Sequence, residues 1–294
     1  MNKPTNRVEY KAIDNIHDLE EVVGVLEEGY NWGKQQSKIL LSEIPKINHD
    51  YGLFGVAVYV DDFPKGAQLY IYQGSISVSG KNVDVVNISS WYVDESLRGL
   101  PAIKLQQFTV EPLRDSIITS YTTNWVGTEA LLRLGFRKMN LKRASVKYYQ
   151  VLHGLIYLRH HGIRKIKSED ISLPSNYISG FSCDKSFDYF EFKADEKKLK
   201  LAGKVVYTNR SFFGVRLKIR TYTIAWTDDE EMLALLWNKI AIKIMLYTRS
   251  IKLTYDFQGS NFPVENQEKD MNCLIYGDDK IESVLRFQSE LGLF

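Results

Sequence analysis

Two cysteines, Cys183 and Cys273, stand far apart in a chain of 294 residues. So few thiols exclude a disulfide framework and suit a reducing compartment, so a cytoplasmic protein is expected. Neither sign of charge is in excess. The 38 Lys and Arg against 36 Asp and Glu leave a net +2, which gives no electrostatic footprint for DNA and little for tRNA. Long apolar runs are missing as well. LALLWNKIAIKIML is interrupted by Asn238, Lys239 and Lys243 and is too short to span a bilayer, so no membrane insertion is expected. The opening MNKPTNRVEYKAIDN has no apolar core like that of a secretion signal. No phosphate-binding lysine loop, zinc signature or nucleophile elbow occurs. The pair His160-His161 has no Cys or carboxylate at ligand spacing nearby, so no metal is expected.

What is there is ordinary globular material, 44% hydrophobic and 13% aromatic. Such a chain can bury a large core, and at roughly 150 residues per domain it suggests two domains. Strand and helix periodicities alternate along it. Strands are expected over Arg7–Ala12, Leu53–Val60, Ala67–Ser77, Val83–Val93 and Ser116–Tyr121, with helices over His17–Tyr30, Pro101–Leu113 and Trp125–Leu134. Gly135 stands where a helix C-terminus wants glycine. Short strands are expected over Arg137–Leu141 and Val146–Tyr148. From Leu152 to Ser179 the chain reads as a helix followed by a basic connector. Strands resume at Phe190, Leu199–Tyr207 and Val215–Trp226, a single amphipathic helix covers Glu230–Tyr247, and a strand covers Ile251–Phe257. A loop, a short helical run over Asp279–Ser283 and a closing stretch end the chain.

The halves resemble each other. A shift of roughly 135 residues brings Trp91 onto Trp226 and Thr119 onto Thr254. NISSW and YTIAW each end a strand, and each leads through an acidic turn, YVDES or TDDEE, into a helix. The expected architecture is therefore α/β with two similar lobes: 1–150, then a helix and connector over 151–180, then a diverged second lobe over 181–294.

Two stretches of the first half carry a family resemblance. SWYVDESLRGLPAIKL is similar to the strand, arginine-bearing turn and helix of the GNAT superfamily of acyl-CoA-dependent N-acyltransferases. NWVGTEALLRLGF matches that family's spacing of an Asn, a helix and a terminal Gly-Phe. The second half, with RSFFGVRLKIRTYTIAWTDDEEMLALLWNKIAIKIM, looks like that of two-lobed GNAT-like proteins, many from bacterial polysaccharide-biosynthesis clusters. The resemblance implies two tandem GNAT-like lobes, each a mixed, mostly antiparallel sheet with flanking helices. It implies transfer of an acyl group, acetyl or another, from acyl-CoA to a primary amine, with a small molecule or an amino sugar as acceptor. Two alternatives stand beside it: a non-catalytic binding or scaffold module, and a Fem-type aminoacyl transferase, which the near-neutral charge disfavours.

The resemblance also implies a site. A helix N-terminus offers unpaired N–H groups and partial positive charge to the pyrophosphate of CoA. Arg98 would add a charge-assisted contact and Gly99 close backbone approach, with Leu100, Ala102 and Ile103 completing the cradle. Trp91, Tyr92 and Val93 would pair with the pantetheine arm as an added strand does, and Asn124 would close the cofactor site. Ser90, Asp94 and Tyr121 are the candidate catalytic residues: Ser90 as a proton relay through water, Asp94 as a base, and Tyr121, with Tyr92 or a water as alternatives, as the acid to the leaving thiolate. Three residues depart from the family pattern. Pro101 replaces a glycine and removes an N–H, Ile103 stands where Gly or Ala belongs, and Leu131 takes the place of the usual tyrosine acid.

Overall fold

The computed structural model describes residues 7–121, 125–139, 141–151, 161–171, 187–194, 197–212, 215–258, 269–270 and 273–277. In chain order the elements are β1 (Val8–Ile13), α1 (Ile16–Tyr30), α2 (Lys34–Ile47), β2 (Gly55–Val60), β3 (Phe63–Val78), β4 (Lys81–Val93), α3 (Leu100–Val110), β5 (Ile117–Ser120), α4 (Trp125–Arg133) and β6 (Arg137–Lys138). There follow β7 (Leu141–Lys147), α5 (Tyr148–Val151), β8 (His161–Ile166), β9 (Asp188–Ala194), β10 (Lys197–Phe212), β11 (Val215–Thr227), α6 (Glu230–Leu235), α7 (Trp237–Thr248), β12 (Lys252–Gln258), β13 (Lys269–Asp270) and β14 (Leu274–Tyr276). They make two α/β lobes, each with one seven-stranded sheet. The orders are β1-β2-β3-β4-β5-β14-β6 and β13-β7-β12-β11-β10-β9-β8. Each sheet contains one parallel pair, β4 with β5 and β11 with β12, among antiparallel neighbours. No helix among the described residues is long and apolar enough to cross a membrane.

In the first lobe the two faces of the sheet are covered by different helices, and strand alternation decides which residue meets which. Val56, Val58, Tyr70, Val86 and Ile88 point to α3 and α4, packing with Ala102, Leu105 and Leu131. Ala57, Tyr59, Leu69 and Ile71 point the other way, to Leu19, Val22, Val23 and Leu26 of α1 and Leu40 and Ile44 of α2. The second lobe buries α7 through Ile240, Ala241, Ile244 and Met245 against Phe190, Leu201, Tyr222 and Leu253.

The units divide differently from the expected 1–150 and 181–294. One comprises Met1–Met139 with Asn272–Ile281, the other chiefly Asn140–Met271. The strand after β6, expected within the first lobe, instead pairs with β12, Leu253 opposite Val146. In return β14 enters the first sheet between β5 and β6. Its sequence, LIY, is too short to show a period of two. Other expectations also shift. The segment expected as helix and connector contains the strand β8, which is paired to β9 over its whole length. The expected single helix over Glu230–Tyr247 breaks at Leu236, whose ψ of 12° leaves the helical region. Helix α2 was unread because Pro45 lies inside it and its buried face is only Ser37, Leu40 and Ile44. The runs expected over Asp279–Ser283 and beyond lie outside the described residues.

Candidate functional site

Strands β4 and β5 run side by side only over Val85–Asn87, opposite Ile117–Thr119. Thr119 Oγ1 lies 3.4 Å from Asn87 Oδ1 at the last pair. Beyond it β5 ends at Ser120, while β4 continues to Val93, held on its other side by β3 as far as Gly66 opposite Val93. From Ile88 onward one edge of β4 therefore has no strand beside it among the described residues. Divergence of two parallel strands at their C-terminal ends is where α/β sheets place ligands. A cleft of about 80 Å³ opens there, lined by Ile88, Ser89, Ser90 and Trp91 from β4 and by Ser120, Gly127 and Leu131 from β5 and α4. Tyr30 of α1, Gln68 of β3 and Gln106 of α3 complete it.

The strand is bulged at this point. Ala67 faces Tyr92 and Leu69 faces Ser89, so Gln68 alone opposes two residues, Ser90 and Trp91. Ser90 takes a left-handed φ of 55°, uncommon for a residue with a side chain. A bulge leaves backbone groups outside the ladder and re-aims them. Beneath it runs a chain of buried amides. Gln106 Nε2 donates to Gln68 Oε1 at 2.9 Å, and Gln68 Nε2 donates to the Ser89 carbonyl at 2.6 Å. Ser89 and Ser90 hydroxyls are 3.3 Å apart.

Helix α3 starts where the sequence predicts. Its buried residues Ala102, Leu105, Gln106 and Thr109 fall at i, i+3, i+4 and i+7, the stripe of a helix laid on a sheet. Tyr70 fixes it by donating to the Thr109 carbonyl at 2.8 Å, and Tyr10 by donating to the Pro101 carbonyl at 3.1 Å. Gly99 precedes it with φ 110° and ψ −130°, a conformation that excludes side chains, and no side chain caps the first turn. Leu100 and Ala102 keep their N–H groups at the open end. Ile103 does not serve as expected, because its N–H donates to the Gly99 carbonyl at 3.1 Å. Arg98 is exposed beside this end and pairs with Glu95 at 3.0 Å.

The other expected residues divide. Ser90 and Trp91 line the cleft. Tyr92 turns its ring to the α1 side, over Gly29, where a Cβ would lie 2.3 Å from it. Val93 is buried against α3. Asp94 is a turn cap: it accepts the Ser96 N–H at 2.9 Å and the Ser96 hydroxyl at 2.6 Å. Those hydrogen bonds hold its carboxyl below the usual range, so it is a weaker base than an ordinary aspartate. Tyr121 is 4% exposed and does not line the cleft. Asn124 lies outside the described residues. The sequence reading missed Tyr30, whose hydroxyl donates to the Trp91 carbonyl, and the pair Gln68 and Gln106. A glutamine on the apolar stripe of α3 was the available signal.

No family model matches the chain, and no curated protein matches it in sequence. Solved structures do. A GCN5-related N-acetyltransferase from Kribbella flavida superposes with a TM-score of 0.60 at 14% identity, over 94% of this chain and 72% of that one. Another from Anabaena variabilis gives 0.59 at 11%, over 92% and 72%. N-myristoyltransferase of Saccharomyces cerevisiae with bound myristoyl-CoA gives 0.55 at 12%, over 94% and 82%. At such identities the likeness establishes fold. The chain is folded as two tandem GNAT-like lobes, each a mixed, mostly antiparallel sheet with flanking helices.

Proposed function

We propose that this chain is an acyl-CoA-dependent N-acyltransferase whose site lies in the first lobe. The observation that carries the reading is the separation of β4 from β5 after Asn87 and Thr119, with the Ser90 bulge at its start and the uncapped α3 beyond it. The pantetheine amides pair with the open edge of β4, and the pyrophosphate meets Arg98 and the N–H groups of Leu100 and Ala102. A backbone N–H freed by the bulge takes the thioester oxygen as charge develops on it. The amine nitrogen bonds to the acyl carbon, the C–S bond breaks, and the amine's proton leaves as CoA departs as a thiol. Ser90 and Tyr30 are the hydroxyls on the cleft through which that proton travels. The acceptor class is a primary amine, with an amino sugar as the first to be tried.

A binding module without catalysis is the second reading. It is favoured by Leu131, which lines the cleft with no proton to give, and by Asp94, which is engaged by Ser96. Release of CoA thiol from acetyl-CoA with a panel of small amines and amino sugars separates the two. Thiol release that depends on an amine supports transfer. Acyl-CoA binding without release under every amine supports the module.

A further inference from the structure

Two polar atoms on the α3 side of the cleft have no hydrogen-bond partner. Gln106 Oε1 is an acceptor on a residue 1% exposed, and Trp91 Nε1 is a buried donor. Both residues line the same cleft, and Trp91 packs with the core cluster that holds α3. The amide group of Gln106 is not free to turn away, because its Nε2 is held by Gln68 Oε1, whose own Nε2 is held by the Ser89 carbonyl. That ladder fixes which end of Gln106 is left over. It is always the carbonyl oxygen, since exchanging the two ends would set carbonyl against carbonyl across the pair. A buried acceptor left without a donor disfavours an apolar neighbour and rewards an N–H or O–H.

We propose that Gln106 is a specificity-determining residue of this cleft. It selects a short transferred acyl group that carries a hydrogen-bond donor, a hydroxyacyl group of two or three carbons in place of a plain alkyl one. The proposal rests on the acyl-CoA reading above. The volume agrees with it. The cleft between the described residues is small, about 80 Å³, as a short acyl group requires. In the resulting complex the ligand hydroxyl donates to Gln106 Oε1, and Trp91 Nε1 donates to a ligand oxygen. Both buried atoms are then satisfied.

Hydroxyacetyl-CoA and propionyl-CoA differ by a hydroxyl against a methyl of similar size, and calorimetry of both with the full chain reads the inference directly. Hydroxyacetyl-CoA is expected to bind about tenfold tighter, the ratio that one net hydrogen bond confers. In Gln106→Met, which keeps the length of the side chain, the ratio is expected to fall to about one or to invert. Equal affinities in the unaltered chain overturn the proposal without any variant, and a ratio that survives Gln106→Met overturns it as well. Free CoA is titrated alongside. If CoA binds while the two thioesters are not distinguished, only this inference fails. If neither CoA nor any thioester binds, the acyl-CoA reading fails and takes this inference with it.

Discussion

In the first lobe β4 leads through Arg98 and Gly99 into an eleven-residue helix whose first turn no side chain caps. In the second, β11 leads through Asp228 and Asp229 into a six-residue helix, and Asp229 accepts the Met232 N–H at 2.8 Å. The surroundings are otherwise alike. Each strand runs parallel to a partner, with Asn87 opposite Thr119 and Thr223 opposite Thr254. Each is bulged just beyond, at Ser90 in one lobe and around Ala225 in the other. Only the first bulge holds a residue in the left-handed region. The lesson is electrostatic. Glu230 and Glu231 stand in the first turn of α6 beside Asp229, so that helix end already faces its own carboxylates. An incoming pyrophosphate would be repelled there. The same scaffold leaves one helix end without a side-chain cap and caps the other with an aspartate.

The comparison can be broken most forcefully at the element that carries the open helix end. Leu105 is fully buried between α3 and the sheet. Leu105→Ala is expected to cost about 2–5 kcal/mol in denaturant unfolding and to weaken CoA binding with it. Next comes the cation. Arg98→Ala is expected to cost about 1.5–3 kcal/mol of CoA affinity by calorimetry, with a melting temperature close to that of the parent because its pair with Glu95 is exposed. In the second lobe the effects should reverse. Asp229→Ala removes a cap and should cost about 0.5–2 kcal/mol of stability, while CoA affinity stays as it was. The smallest effect sharpens the first turn itself. Pro101→Gly adds an N–H to the open end and should tighten CoA binding, while lowering stability by about 0.4–1 kcal/mol through the freer unfolded chain.

Much of this was legible in sequence because it rests on local chemistry. The apolar, β-branched and aromatic runs of β2 to β4, the glycine before α3, the proline in its first turn and the acidic start of α6 each state their geometry in a few adjacent residues. The match of Thr119 with Thr254 survives in the structure, where each stands in the one parallel pairing of its sheet, opposite Asn87 and Thr223. What was not legible depends on residues distant in the chain. That β7 joins the second sheet and β14 the first is a choice of partner, and two or three apolar residues carry no record of it. The cleft likewise draws Tyr30, Gln68 and Gln106 from three elements, and their meeting follows from the packing of α1 and α3 on opposite faces. Asp94 was misplaced for a local reason. Ser96, two residues on, offers both an N–H and a hydroxyl, and the carboxyl turns to them.

The claim that one lobe keeps a CoA site and the other has closed it is tested most directly by the stoichiometry of CoA binding. Calorimetric titration of the full chain with CoA, repeated on Arg98→Ala, gives both the number of sites and their place. One molecule bound per chain, weakened by roughly tenfold or more in Arg98→Ala, is the expected result. Two molecules per chain, none at millimolar ligand, or one whose affinity ignores Arg98 would contradict the account.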